Sequence, residues 1–221
     1  VQTKEVLVPK FGGITISGRS GTGKTATMEF LASLYSIKPE RIKKTGEIMR
    51  KITHSGKTSR GFMQRDEEID EKIDTEQKAI IDSADSNNPF MLEGRLAGFL
   101  AEQNQNVVKV LFVAPSEIRM KRILKRALED KREEIEKLEK ERELALSSIA
   151  DPAVIEYLSQ RLIDEKTETV NLKSVKEKEK EREREDLKRW RKKHPKLRGI
   201  DPFNPANKDK EGNHIYTIVV N

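Results

Sequence analysis

The stretch Gly18-Arg19-Ser20-Gly21-Thr22-Gly23-Lys24-Thr25 fits the pattern G-x-x-x-x-G-K-[ST], whose glycines let a loop wrap close to phosphates with its backbone N–H groups pointing inward. Lys24 is placed to reach β- and γ-phosphates as a point charge, and Thr25 to offer its hydroxyl to Mg2+. The helix expected to follow would aim the positive end of its dipole at the same anion. A second signature is Glu93-Gly94-Arg95 at the end of the apolar run Pro89-Phe90-Met91-Leu92. A carboxylate there can hold Mg2+ through its water shell, and an arginine two residues on can grip a second phosphate with two hydrogen bonds. The competing reading is a surface ion pair between Glu93 and Arg95 or a neighbour.

These residues need elements to position them. Gly13-Ile14-Thr15-Ile16-Ser17 alternates β-branched residues and ends at a glycine, which predicts a short strand. Met28, Leu31, Ala32 and Tyr35 recur at helical spacing, so strand, loop and helix follow in the order that a phosphate loop requires. Ile48 and Ile52 suggest a short helix. Residues 54–64, with Ser, Gly, Lys and Arg, read as a mobile basic loop. A helix is expected from about Asp66 to Ser83, with Ile69, Ile73, Ile80 and Ile81 as its apolar stripe and Asp70, Asp74 and Gln77 as a neighbouring polar one. Residues 89–92, 107–113 and 215–220 read as strands, and residues 96–101 as a short helix. Val6-Leu7-Val8, cut by Pro9, is an edge strand or a lead-in. Strands alternating with helices imply an α/β domain with a parallel sheet and helices on both faces.

From Ser116 onward the chain changes character. Residues 117–149 lack glycine and proline, and Leu128, Ile135, Leu138, Ala145 and Ile149 approximate a heptad seam. Asp151-Pro152 interrupts it, and residues 153–193 return as another charged helix with Ile155, Leu158, Leu162, Leu172 and Val175 as a thinner seam. Two such helices predict a long antiparallel hairpin.

The 221 residues are 37% charged and 34% hydrophobic, so only part of the chain can build a core; residues 117–198 are the stretch expected to be solvated. The net charge of +6 is the remainder of 44 basic and 38 acidic residues, mostly interleaved, and does not call for nucleic acid or another broad anionic partner. Zero cysteines exclude disulfides, a thiol nucleophile and cysteine-based zinc sites, which fits a reducing cytoplasm. No apolar run is long enough to span a membrane. His54, His194 and His214 are isolated, lack metal spacing and read as surface residues. Trp190, between Arg189 and Arg191, could stack on a base or pack at the foot of the hairpin. The chain opens without methionine and stops directly after an apolar run, which reads as a trimmed fragment.

Taken together, the phosphate loop, Gly46-Glu47-Ile48-Met49-Arg50, Glu68-Ile69-Asp70 with Asp74 and Gln77, Glu93-Gly94-Arg95-Leu96-Ala97-Gly98-Phe99 and Gly199-Ile200-Asp201 resemble cytidylate kinases, more closely their short archaeal-type branch. The similarity covers residues 13–127 and resumes at about 180–221. It implies a P-loop NTPase fold with a five-stranded parallel sheet, an acceptor-binding segment at about 38–85 and a lid that closes over ATP. The resemblance divides the chain into a kinase core at 1–116, an enlarged lid or hairpin at 117–198 and a return to the core at 199–221. It implies that ATP and Mg2+ are used and that CMP or dCMP is the acceptor. Gly18, Arg19, Ser20, Gly21, Thr22, Gly23, Lys24 and Thr25 would then bind ATP, Thr25 and Glu93 would serve Mg2+, and Arg50 and Arg95 would hold the acceptor phosphate. Arg182, Arg184 and Arg189 match lid arginines that neutralise charge on the migrating phosphoryl group; an Arg/Glu run on a long helix is otherwise a solvated face.

Leu96 stands where many bacterial members carry an aspartate, so cytosine would have to be read elsewhere. Asp70, Asp74 and Gln77 are the candidates, since a carboxylate can accept from the cytosine amino group; an ordinary solvated face is the alternative. UMP or another small phosphorylated molecule is left open as the acceptor. The hairpin could be an enlarged lid, a docking arm for a protein partner or a self-association element, which leaves a nucleotide-dependent switch as a second function.

Overall fold

The computed structural model describes residues 11–53, 67–148 and 151–221. The 6–8 run, the 54–64 loop, His54, Asp66 and Ile149 lie outside the described residues. Five strands form one parallel sheet in the order β2-β3-β1-β4-β5: β1 (Gly13–Gly18), β2 (Ile42–Lys44), β3 (Phe90–Glu93), β4 (Val107–Phe112) and β5 (Ile218–Val220). The central pair is β1 beside β3, with Ile16 opposite Glu93. Their carboxyl ends therefore open at the same edge of the sheet, where parallel α/β sheets bind ligands.

Alternation along the strands supplies both faces. Phe90 and Leu92 pack with Ile48, Met49, Ile73 and Ile81 from α2 (Thr45–Thr53) and α3 (Glu67–Asp82). Met91 points the other way, with Ile14 and Ile16, onto Met28 and Ala32 of α1 (Lys24–Leu34). A third cluster joins Phe99 of α4 (Ala97–Leu100) to Leu111, Leu197, Phe203, Ile215 and Tyr216. Two strands differ from expectation. Ile42-Lys43-Lys44 carries one apolar residue and gave no strand signal; it is a strand because it pairs with Met91, Leu92 and Glu93, and its lysines suit a sheet edge. β5 starts at Ile218 rather than residue 215, because Ile215 and Tyr216 turn into the core before pairing begins.

The described residues between 115 and 183 form a compact unit of their own, while the described residues up to 114 and from 184 onward form the other. In the helical unit α5 (Ser116–Ser147) and α6 (Pro152–Thr167) run antiparallel, with Arg142 Nε donating to Ser159 Oγ at 2.8 Å, Arg161 paired with Glu134 at 2.9 Å and Lys131 donating to the Glu168 carbonyl. Their core is small: Leu138 and Ala145 against Leu158. Leu128, placed in the expected seam, is exposed. The second arm is not one helix. It stops at Thr167 and restarts as α7 (Leu172–Lys193), where Asn171 Oδ1 accepts from the Ser174 amide at 2.9 Å and Ser174 Oγ accepts from the Asn171 amide at 3.1 Å. That reciprocal pair is a capping box. Residues 184–198, expected within the hairpin, belong to the α/β unit. Among the described residues no helix is long and apolar enough to cross a membrane.

Candidate active site

β1 ends at Gly18, whose φ of 142° favours glycine and where a Cβ would overlap the Phe112 carbonyl oxygen of β4. The loop then closes on itself: Thr22 Oγ1 donates to the Arg19 carbonyl at 2.9 Å, and Lys24 Nζ donates to the same carbonyl at 3.0 Å. Gly23 caps α1 in the left-handed region, so Lys24 and Thr25 fall in the first helical turn. Next door, Glu93 closes β3. Its Oε2 accepts from Thr25 Oγ1 at 2.9 Å, and its Oε1 lies 4.0 Å from Lys24 Nζ.

The hydroxyl and the carboxylate offer hard oxygens to a divalent cation. In an octahedral Mg2+ shell with bonds of about 2.0–2.1 Å, adjacent oxygens are about 2.9 Å apart, which matches the Thr25–Glu93 spacing. Among the described residues there is no cluster of three or more His, Asp or Glu able to hold a metal ion. One hydroxyl and one carboxylate are a partial shell of the kind Mg2+ completes with water and substrate phosphates. The donor set therefore fits the ion.

Gly94 carries the chain from Glu93 to Arg95 and is tightly enclosed; a Cβ would overlap Thr45 Oγ1 and stand 3.0 Å from Gln77 Oε1. Thr45 Oγ1 lies 2.9 Å from both the Glu93 carbonyl and Gln77 Oε1, tying α2 and α3 to the end of β3. Arg95 beyond it is nearly buried. Its guanidinium pairs with Asp186 and stacks 5.3 Å from the Trp190 ring centroid and 5.6 Å from that of Phe203. Asp186, 2% exposed, also pairs with Arg189, whose Nε is 3.3 Å from Asp70. Asp74 meets Lys193 at 3.0 Å and His194 at 3.1 Å. Burial alone would raise the Asp74 carboxyl; the bonds from His194 and Lys193 outweigh it and hold the group below its ordinary range.

A profile of the Cytidylate kinase-like family matches residues 13–151. The chain belongs to that family. It is 36% identical over 117 residues to the cytidylate kinase of Methanosarcina barkeri, which covers 51% of this chain and 62% of that protein. It is 33% identical over 134 residues to the cytidylate kinase of Methanosphaerula palustris, covering 59% and 72%. A solved structure of an uncharacterized protein from Eubacterium ventriosum superposes with a TM-score of 0.47 at 15% identity, covering 94% of this chain and 86% of that one. The chain thus spans just under two thirds of the length of the Methanosarcina relative.

In this member of the cytidylate kinase-like family, the phosphate loop, Glu93, Arg95, Arg189, Asp70, Asp74 and Gln77 all fall in the α/β unit. The stripe of Asp70, Asp74 and Gln77 is not a solvated face: Arg189, Lys193 and His194 cover its two carboxylates. Gln77 is buried and turned to Thr45. Arg50 is half-buried on α2. Arg184 is exposed and near Glu185 at 3.8 Å, while Arg182 lies in the helical unit, 3.9 Å from Glu179. The structure adds Asp186, a buried partner of both Arg95 and Arg189 that nothing in the charged run Arg182–Arg189 singles out. It corrects His194 from a surface residue to a partner of Asp74, and it gives Trp190 its packing role, edge-on to Phe203 at 6.1 Å.

Proposed function

We propose that this chain is an ATP-dependent nucleoside monophosphate kinase that transfers the γ-phosphoryl group of ATP to CMP or dCMP. The observation that carries this reading is the convergence of Lys24, Thr25 and Glu93 at the ends of β1 and β3, with Gly94 leading straight from Glu93 to a nearly buried arginine. A metal-directed carboxylate and a phosphate-directed guanidinium two residues apart suit a donor and an acceptor held side by side. The cytidylate kinases among the relatives support the acceptor class.

In this reading Lys24 exchanges the Arg19 carbonyl for a phosphate oxygen, and Thr25 and Glu93 would hold Mg2+. When bound, the ion would supply neutralisation of phosphate charge. Arg95 and Arg189 present guanidinium charge to the acceptor phosphate and the migrating group, with Asp186 fixing both; Arg50, Arg182 and Arg184 remain candidates for the same task. The acceptor oxygen attacks phosphorus in line as the ADP oxygen leaves, and no side chain forms a covalent intermediate. Asp70, Asp74 and Gln77 become base-reading candidates once the cations that cover the carboxylates move aside.

A coupled ADP-release assay with ATP·Mg2+ and a panel of nucleoside monophosphates tests this. Acceleration by CMP and dCMP above a no-acceptor control is expected. Slow release that ignores every acceptor would instead favour a nucleotide-dependent switch, a second reading motivated by the separate helical unit at 115–183 as a surface for a protein partner or a second copy.

A further inference from the structure

One aromatic ring meets both the phosphate loop and the arginine beyond β3. Phe203 is 6% exposed. The Arg19 guanidinium carbon lies 5.1 Å from its ring centroid and that of Arg95 lies 5.6 Å away, so two like charges from opposite halves of the site share one ring. Their repulsion is offset in two ways. The negative face of the ring attracts each cation within about 6 Å, and each arginine has its own carboxylate: Asp201 for Arg19 at 2.8 Å and Asp186 for Arg95. Asp201 does double duty, because its other oxygen accepts from the Phe203 amide at 3.0 Å. Tyr216 Oη donates to the Pro202 carbonyl at 2.6 Å, and Trp190 meets the ring edge-on. The ring is thus pinned from its backbone and from one edge.

We propose that Phe203 is a positioning residue that sets Arg19 and Arg95 relative to one another, so that the donor loop and the acceptor-side arginine move as one unit. This rests on the kinase reading given above. In a reaction that depends on in-line placement, a displacement of about 1 Å costs about 10²-fold in rate, and the ring touches one arginine of the phosphate loop and one beyond β3. Phe203 also packs with Leu96, Phe99 and Leu197, so a purely structural role must be separable.

The full chain with Phe203→Leu and with mono-, di- and trifluorophenylalanine at position 203 makes that separation, because fluorination weakens the ring's negative face at nearly constant shape. We expect kcat/KM to fall stepwise with fluorination, reaching about tenfold or more, with KM rising for both ATP and CMP and an unchanged thermal midpoint. Phe203→Leu should fall at least as far. A kcat/KM within about twofold across the series, or a loss that follows the thermal midpoint, overturns the proposal. Titration with a fluorescent ATP analogue and no acceptor keeps it distinct from the kinase reading. If the unmodified chain phosphorylates no monophosphate, that reading fails, and the fluorination series is then read as nucleotide affinity: a stepwise loss supports the positioning role and a flat series overturns it.

Discussion

Lys24 is 8% exposed and held by the Arg19 carbonyl, 4.0 Å from Glu93, so its charge is already largely desolvated. Lys24→Ala is expected to lower kcat by on the order of 10²–10³-fold, as removal of one preorganised charge donor does, with a thermal midpoint close to that of the unmodified chain; steady-state kinetics beside a melting curve checks both. Asp186 is the opposite case, a buried anion serving two arginines. Asp186→Asn leaves Arg95 and Arg189 short of a counter-charge and is expected to cost about 3–5 kcal/mol in urea unfolding, and to raise the acceptor KM more than the ATP KM. Asp74 gives a pH effect of definite sign. Because His194 and Lys193 hold its folded carboxyl below the ordinary value of 3.8, its contribution is complete above that value and is lost as pH falls through the lower folded one. Asp74→Asn should therefore lower the urea midpoint at about pH 7 and leave a smaller difference at about pH 3. At this scale the sequence made the phosphate loop, Glu93 and Arg95 legible, because their spacing is local. Asp186 and His194 were not, since their partners Arg95 and Asp74 are supplied by distant parts of the chain and nothing in a charged run marks which residue will be buried.

The elements that carry the site are joined by close contacts rather than by length. Gly94 lets the end of β3 touch Thr45 of α2 and Gln77 of α3, so Gly94→Ala is expected to destabilise by about 1–3 kcal/mol through overpacking, and to impair catalysis beyond what its stability explains. A thermal melt and kcat/KM on the same sample distinguish the two. The capping box at the start of α7 predicts a contrasting result: Asn171→Ala should cost about 1 kcal/mol while nucleotide affinity stays unchanged. Periodicity made β1, α1, α3, β3 and β4 readable because each buries a regular face. It did not reveal β2, whose Ile42-Lys43-Lys44 becomes a strand only beside β3. Nor did it reveal the break before α7, where Leu162, Leu172 and Val175 read as one seam across the Asn171–Ser174 cap.

At the scale of the whole molecule, the chain invests its apolar residues unevenly. The sheet unit has three apolar clusters, whereas the helical unit at 115–183 rests on Leu138, Ala145 and Leu158 with Ile155 and Leu162 beside them. Amide hydrogen exchange should therefore be slowest in β1, β3 and β4 and markedly faster along α5 and α6; equal protection would mean that the helices are held by more than their own small core. The composition anticipated this split, since a chain with 37% charged residues cannot bury all its helices. The measurement that bears most directly on function is transfer of label from [γ-32P]ATP to CMP in the presence of Mg2+. A phosphotransferase built on Lys24, Glu93 and Arg95 predicts labelled CDP formed in step with ADP, and label found only in inorganic phosphate would contradict it.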